Sequence, residues 1–197
     1  MKKNLILFLF CPLCIFAQGA PEKIGLGLNY MSLDLPDDMV FRPTFVFEKE
    51  LKSRFFVATQ FGGVYYKGGD PNFNIPEVRR RFTTDVTVKF AVVKYKNNYL
   101  KIGGGPSLWY RNDDLVSIVK LRGEAPDFIL KPVGVEMQTK KDWSLGYNLT
   151  GELEISVVRN VSLAANISIA NLGEAGFSSI VGLNCYYRLG SPIFKKR

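Results

Sequence analysis

The chain has 197 residues, of which 47% are hydrophobic and 22% charged, with a formal net charge of +8 and no histidine. The missing histidine removes the commonest proton shuttle and metal ligand at neutral pH. The positive charge is spread along the chain rather than gathered into the stripe that nucleic acid recognition needs.

The first residues form an address. Met1-Lys2-Lys3-Asn4 is a short basic start, Leu5 to Phe16 is a continuous apolar run, and Ala17-Gln18-Gly19-Ala20 supplies small residues for cleavage. This is the layout of a secretory signal peptide, and the run is too short for a stable spanning helix. We place cleavage after Ala17, with Ala20 as the fallback, so residues 1–17 are the signal peptide and residues 18–197 one domain. A lipobox needs a small residue before its cysteine, whereas Cys11 and Cys14 follow Phe10 and Leu13. Both cysteines leave with the signal. Cys185 then stands alone in the exported chain, and no internal disulfide can form.

Eight strand-like runs follow. Residues 23–31 place Ile24, Leu26, Leu28 and Tyr30 opposite Gly25, Gly27 and Asn29. Residues 40–49 place Phe41, Phe45 and Phe47 opposite Arg42, Thr44 and Glu48. Residues 54–66 set Phe55, Val57, Phe61 and Tyr65 against Ala58, Gln60 and Gly62. In 83–93, Thr83, Asp85, Thr87 and Lys89 oppose Thr84, Val86, Val88, Phe90 and Val92. Residues 99–111 oppose Leu100, Ile102, Leu108 and Tyr110 to Lys101, Gly103, Gly105 and Ser107. The cleanest run is 142–156, with Trp143, Leu145, Tyr147, Leu149, Leu153 and Ile155 on one face and Glu152 and Glu154 on the other. Residues 161–170 and 178–189 complete the set. A period of two is the mark of a strand with one oily and one wet face.

The connections differ in length. Those after the second, fourth and sixth runs are tight, whereas 67–80 and 112–141 are long, and the runs LVSIVKL and FILKPVGV in the latter could extend the fifth and sixth strands above the membrane as a binding hairpin. Aromatic residues gather near both sets of ends: Tyr30, Tyr65, Tyr66, Trp109, Tyr110, Trp143 and Phe177 at one, and Phe47, Phe55, Tyr95, Tyr99, Tyr186 and Tyr187 at the other. Segregated loop lengths and two aromatic belts predict an all-β, eight-stranded antiparallel up-and-down transmembrane β-barrel.

In such a barrel a Lys or Arg facing lipid at mid-bilayer costs roughly 2–4 kcal/mol. The wet faces therefore point inward. The expected polar network of the lumen is Arg42, Glu48, Asp85, Lys89, Lys101, Arg111, Glu152, Glu154 and Arg188, and eight strands leave an interior that side chains fill.

The stretch RFTTDVTVKFAVVKYKNNYLKIGGGPSLWYR resembles the central hairpin of a small outer-membrane β-barrel family common in Bacteroidota. There, a strand ending in a lysine–aromatic pair turns tightly into a Tyr-Leu strand rich in glycine with a proline. WSLGYNLTGELEI, VSLAANISIANLG and GLNCYYRLG resemble the last three strands of that family. The chain departs from it in having Val86 or Thr87 where a proline is usual, and in continuing past its last strand as GSPIFKKR. The resemblance implies an outer-membrane location in a Gram-negative envelope and says little of activity.

Candidate chemistry is sparse. The glycines at 103–105 lack the strand-to-helix setting and Lys-Ser/Thr ending of a phosphate loop. Arg79, Arg80 and Arg81 close a long loop at the expected outer leaflet, where lipopolysaccharide phosphates are a candidate contact and a solvated charge cluster is the plain alternative. No catalytic, cofactor or metal set emerges, so no cofactor is expected. The reading is a monomeric, non-enzymatic outer-membrane protein with a surface-binding or envelope-structural role through the segments 67–80 and 112–141. Its partners would be membrane lipid and lipopolysaccharide, with no nucleic acid. The alternative is a secreted, lipocalin-like barrel carrying a small apolar ligand, with the two faces reversed.

Overall fold

The computed structural model describes residues 22–189, apart from 34, 53, 71–74, 125–128 and 174–175. The expected signal peptide lies outside the described residues. Eight strands run β1 Lys23–Leu33, β2 Leu35–Lys52, β3 Phe55–Asp70, β4 Ile75–Tyr95, β5 Asn98–Glu124, β6 Ile129–Val158, β7 Val161–Asn171 and β8 Phe177–Arg188. Each pairs antiparallel with its neighbour, and β1 pairs with β8 from Lys23↔Arg188 to Met31↔Ile180, which closes the ring. The protein is thus an up-and-down transmembrane β-barrel. Within the ring, closure leaves no strand edge unpaired among the described residues, the condition hydrocarbon imposes.

Tight turns join the strands at one end. β4 passes to β5 through Lys96 and Asn97, with Lys96 in the left-handed region at φ 55°. β6 passes to β7 through Arg159 and Asn160. At the other end the walls continue much further than the alternation alone indicated. The segment 67–80 is not an open loop, because Lys67↔Val78 to Asp70↔Ile75 carry on the β3–β4 ladder. The segment 112–141 likewise pairs with itself from Asn112↔Lys141 out to Glu124↔Ile129. At about 3.3 Å per residue, residues 112–124 extend the wall by roughly 40 Å along the strand. For 112–141 the runs LVSIVKL and FILKPVGV already raise an extended hairpin, whereas 67–80 offers no such sign.

One irregularity falls in 83–93. The register shifts between Ala91 and Val93, so Ala91 is buried while Val92 and Val93 are both exposed. The slip ends the alternation just before the turn.

Candidate functional site

The outer wall is apolar. Leu26, Leu28, Phe41, Val88, Ile102, Leu145, Leu149, Leu153, Ile167, Val181 and Leu183 are all exposed. Soluble monomers rarely show contiguous apolar patches beyond a few hundred Å². The buried set is the reverse and is rich in charge, with Lys23, Arg42, Glu48, Asp85, Lys89, Lys101, Glu152 and Glu154 all at most 5% exposed. Alternation therefore turns the oily face outward along every strand. Val57 and Thr59 share the outward parity yet are buried. Thr59 sits in register between Phe47 and Val86.

Inside, near the short turns, three lysines meet three glutamates. Lys23 Nζ lies 3.1 Å from Glu48 and 2.8 Å from Glu154. Lys89 lies 3.1 Å from Glu48 and 2.7 Å from Glu152. Lys101 reaches all three carboxylates, at 2.7 Å from Glu48, 3.0 Å from Glu152 and 2.5 Å from Glu154. The cluster is neutral, which makes its burial tolerable, since an uncompensated ion in this setting would cost several kcal/mol. The Tyr186 hydroxyl donates to Glu152 at 2.9 Å and the Ser162 hydroxyl to Glu154 at 2.6 Å. Phe56, Ala91 and Tyr99 pack as an apolar group at this end, and the Lys101 ammonium lies 4.6 Å from the Phe56 ring centroid. The three carboxylates come within 4.8 Å of one another, the spacing of a metal site. Three ammonium groups already neutralise them, so the group reads as a plug.

Above this layer Arg42 pairs with Asp85 at 2.5 Å. Asp85 also accepts from Ser107 at 2.7 Å and from the Trp109 indole at 3.1 Å. Higher still, Arg81 pairs with Asp113 at 2.9 Å and Arg111 with Asp142 at 2.6 Å. Trp109 belongs to a buried apolar group with Met31, Leu33, Val40, Val64, Ala170, Leu172 and Ile180. Between the layers lies a cavity of about 30 Å³, bordered by Asn29, Asp85, Thr87, Asn148 and Asn184. That suits about two waters and no larger ligand.

Of the predicted lumen residues, Arg42, Glu48, Asp85, Lys89, Lys101, Glu152 and Glu154 line this interior. Arg111 stands at its mouth, and Arg188 is half-buried and forms no ion pair among the described residues. The three arginines at 79–81 do not form one exposed cluster. They belong to β4, so alternation turns Arg81 inward to Asp113 and sets Arg79 beside Glu77 at 3.4 Å, leaving Arg80 outward. The aromatic belts are also thinner than expected, because Trp109, Tyr99 and Tyr186 are buried inside.

Sequence reasoning missed Lys23, Asp113 and Trp109 as interior residues, and it counted Tyr186 in a belt although its strand set that ring opposite the oily face. Parity was the available signal: Lys23 alternates with Gly25, Trp109 with Ser107, and Tyr186 with Asn184 and Arg188. Aromatic character outweighed parity for the two rings.

The comparisons with known proteins agree on the fold. No family model matches the chain, and no curated protein matches it by sequence. Solved structures share the barrel, two of them as follows. Neisserial surface protein A (NspA) aligns with a TM-score of 0.58 at 12% identity, over 85% of this chain and 95% of that one. Ail, the attachment invasion locus protein of Yersinia pestis, aligns with a TM-score of 0.52 at 12% identity, over the same shares. At such identity the likeness is one of fold.

Proposed function

We propose that this chain is a monomeric, non-enzymatic outer-membrane protein whose filled barrel holds two long hairpins outside the cell as a binding or envelope-structural surface. The observation that carries the reading is the inside-out distribution: an apolar outer wall around an interior closed by ion pairs. A lipocalin-like carrier needs the opposite, a roomy apolar cavity, and the 30 Å³ space among polar groups has no place for such a ligand. The same filling argues against a pore. Short turns toward the periplasm and long hairpins outward follow the usual arrangement of such barrels. The word attachment in the name of one structural neighbour suits a surface role for the hairpins.

The test combines fractionation with electrophoresis in SDS, boiled against unboiled. The expected result is recovery with the outer membrane and a band that shifts on heating. Removal of residues 112–141 by external protease on intact cells would place that hairpin outside. Recovery as a soluble protein with no heat shift would overturn the reading.

A further inference from the structure

The outer wall changes character abruptly across β3 to β6. One row in register reads Gly63, Phe82, Tyr110 and Trp143, and the next row outward reads Tyr65, Arg80, Asn112 and Lys141. Apolar wall thus gives way to cations within one step of the same face. Lys67, one further step along β3, faces Val78 and is a diagonal neighbour of Arg80. Such neighbours have Cα atoms about 7–8 Å apart, within joint reach of one anion for long side chains. Beneath this row lies an apolar groove of about 490 Å³, floored by Gly63 and flanked by Phe41, Tyr65, Phe82 and Tyr110, with Arg80 and Asn112 at its rim. A Cβ built on Gly63 meets nothing within 4 Å. The missing side chain leaves the floor of the depression open.

Resting on the outer-membrane reading above, we infer that this groove is a binding site for one phosphorylated lipid of the surrounding leaflet. An acyl chain lies along Gly63 and Phe82, and the headgroup phosphate is held by Arg80 with Lys67. Guanidinium groups match phosphate oxygens in a fork of paired hydrogen bonds. Arg80 is available for this. Its side chain is 51% exposed, and its one described ion partner, Asp114, stands off at 3.8 Å. Asp114 is accordingly a competitor for Arg80 and sets a ceiling on affinity. Arg81, one position away, takes no part, because it is buried against Asp113.

The experiment places the full chain in nanodiscs containing either lipid A or the same lipid with its phosphates removed, and counts retained lipid by native mass spectrometry. The heat shift in SDS checks that every variant is folded. The wild type should retain lipid A in preference to the dephosphorylated form. Arg80→Gln should lower that retention about tenfold, the scale of one charge-assisted hydrogen bond. Gly63→Leu, which puts a side chain on the floor of the groove where a Cβ has open space, should lower retention of both lipids. Asp114→Asn should raise retention of lipid A. Arg159→Gln removes the same charge at the opposite rim and should change nothing. Equal retention of the two lipids would overturn the phosphate site. An equal effect of Arg159→Gln would reduce it to general surface charge, and an unaffected Gly63→Leu variant would remove the groove from it. Each of these failures would arise in a folded, membrane-inserted barrel. Absence of the heat shift or of membrane recovery would instead sink the outer-membrane reading.

Discussion

Lys101 on β5 and Glu48 on β2 meet across the lumen at 2.7 Å, both fully buried. Glu48 also holds Lys23 and Lys89, so three ammonium groups share one carboxylate. Glu48→Gln should strand positive charge in a closed interior. The expected loss is about 3–5 kcal/mol, the range for removing one partner of a buried ion pair. Urea unfolding in lipid vesicles measures it, and a midpoint equal to that of the wild type would contradict the plug.

The two tryptophans give a direct readout of which face is oily. Trp143 is 49% exposed on the outer wall, whereas Trp109 is 1% exposed within. Brominated lipids should quench Trp143 strongly and spare Trp109. The Trp143→Phe variant should therefore lose most of the quenching, and Trp109→Phe should keep it. Quenching that followed Trp109 would reverse the faces.

Cys185 points outward and pairs in register with Leu26 and Leu163. Thiol reagents need thiolate and water, and this cysteine meets lipid. A charged maleimide should leave it unmodified in vesicles and label it fully after unfolding. Rapid labelling of the inserted protein would mean that this wall is wet.

The Arg111–Asp142 pair lies just above the apolar girdle, at the base of the long hairpin. Hydrogen bonds from Arg111 hold the Asp142 carboxyl below its ordinary range. Its pKa is thus lower in the folded state than in the unfolded one. The stabilisation is present at neutral pH and is lost as pH falls through the lowered value. Titration of carbon-labelled aspartate by NMR should find Asp142 protonating later on acidification than an ordinary aspartate. Arg111→Gln should return it to the usual range. An unchanged Asp142 in that variant would show that the pair does not set its charge.

The strands were legible within the girdle because lipid outside and a crowded lumen inside enforce a strict period of two. Val88, Phe90, Leu149 and Leu153 face out, Lys89 and Glu152 face in, and the sequence states both. The same rule read past the girdle would have separated Arg80 from Arg79 and Arg81. What hid this was the assumption that 67–80 was a loop, where alternation has no meaning. Partner choice was not legible either. Parity says that Lys101 points inward, but only the ring geometry brings it to Glu48, 53 positions away. Lys23 was overlooked because it is the first residue of its run and was weighed with neither face, although its parity with Gly25 was plain.

The cluster near the short turns also bears on how the molecule is assembled. Its charges come from β1, β2, β4, β5 and β6, and β8 adds the Tyr186 hydroxyl. Lys23 comes from the strand that must meet β8 before the ring exists. An unclosed sheet still sets Lys23 beside Glu48 on β2 but leaves it without Glu154 on β6, so no partial ring completes its pairs. Closure is the event that completes the account, and it does so only when every strand sits in its proper register. A slip of β1, β2, β4, β5 or β6 by one residue would turn a lysine or glutamate toward the acyl chains. The full set of pairs is thus available only to the sealed cylinder in its proper register.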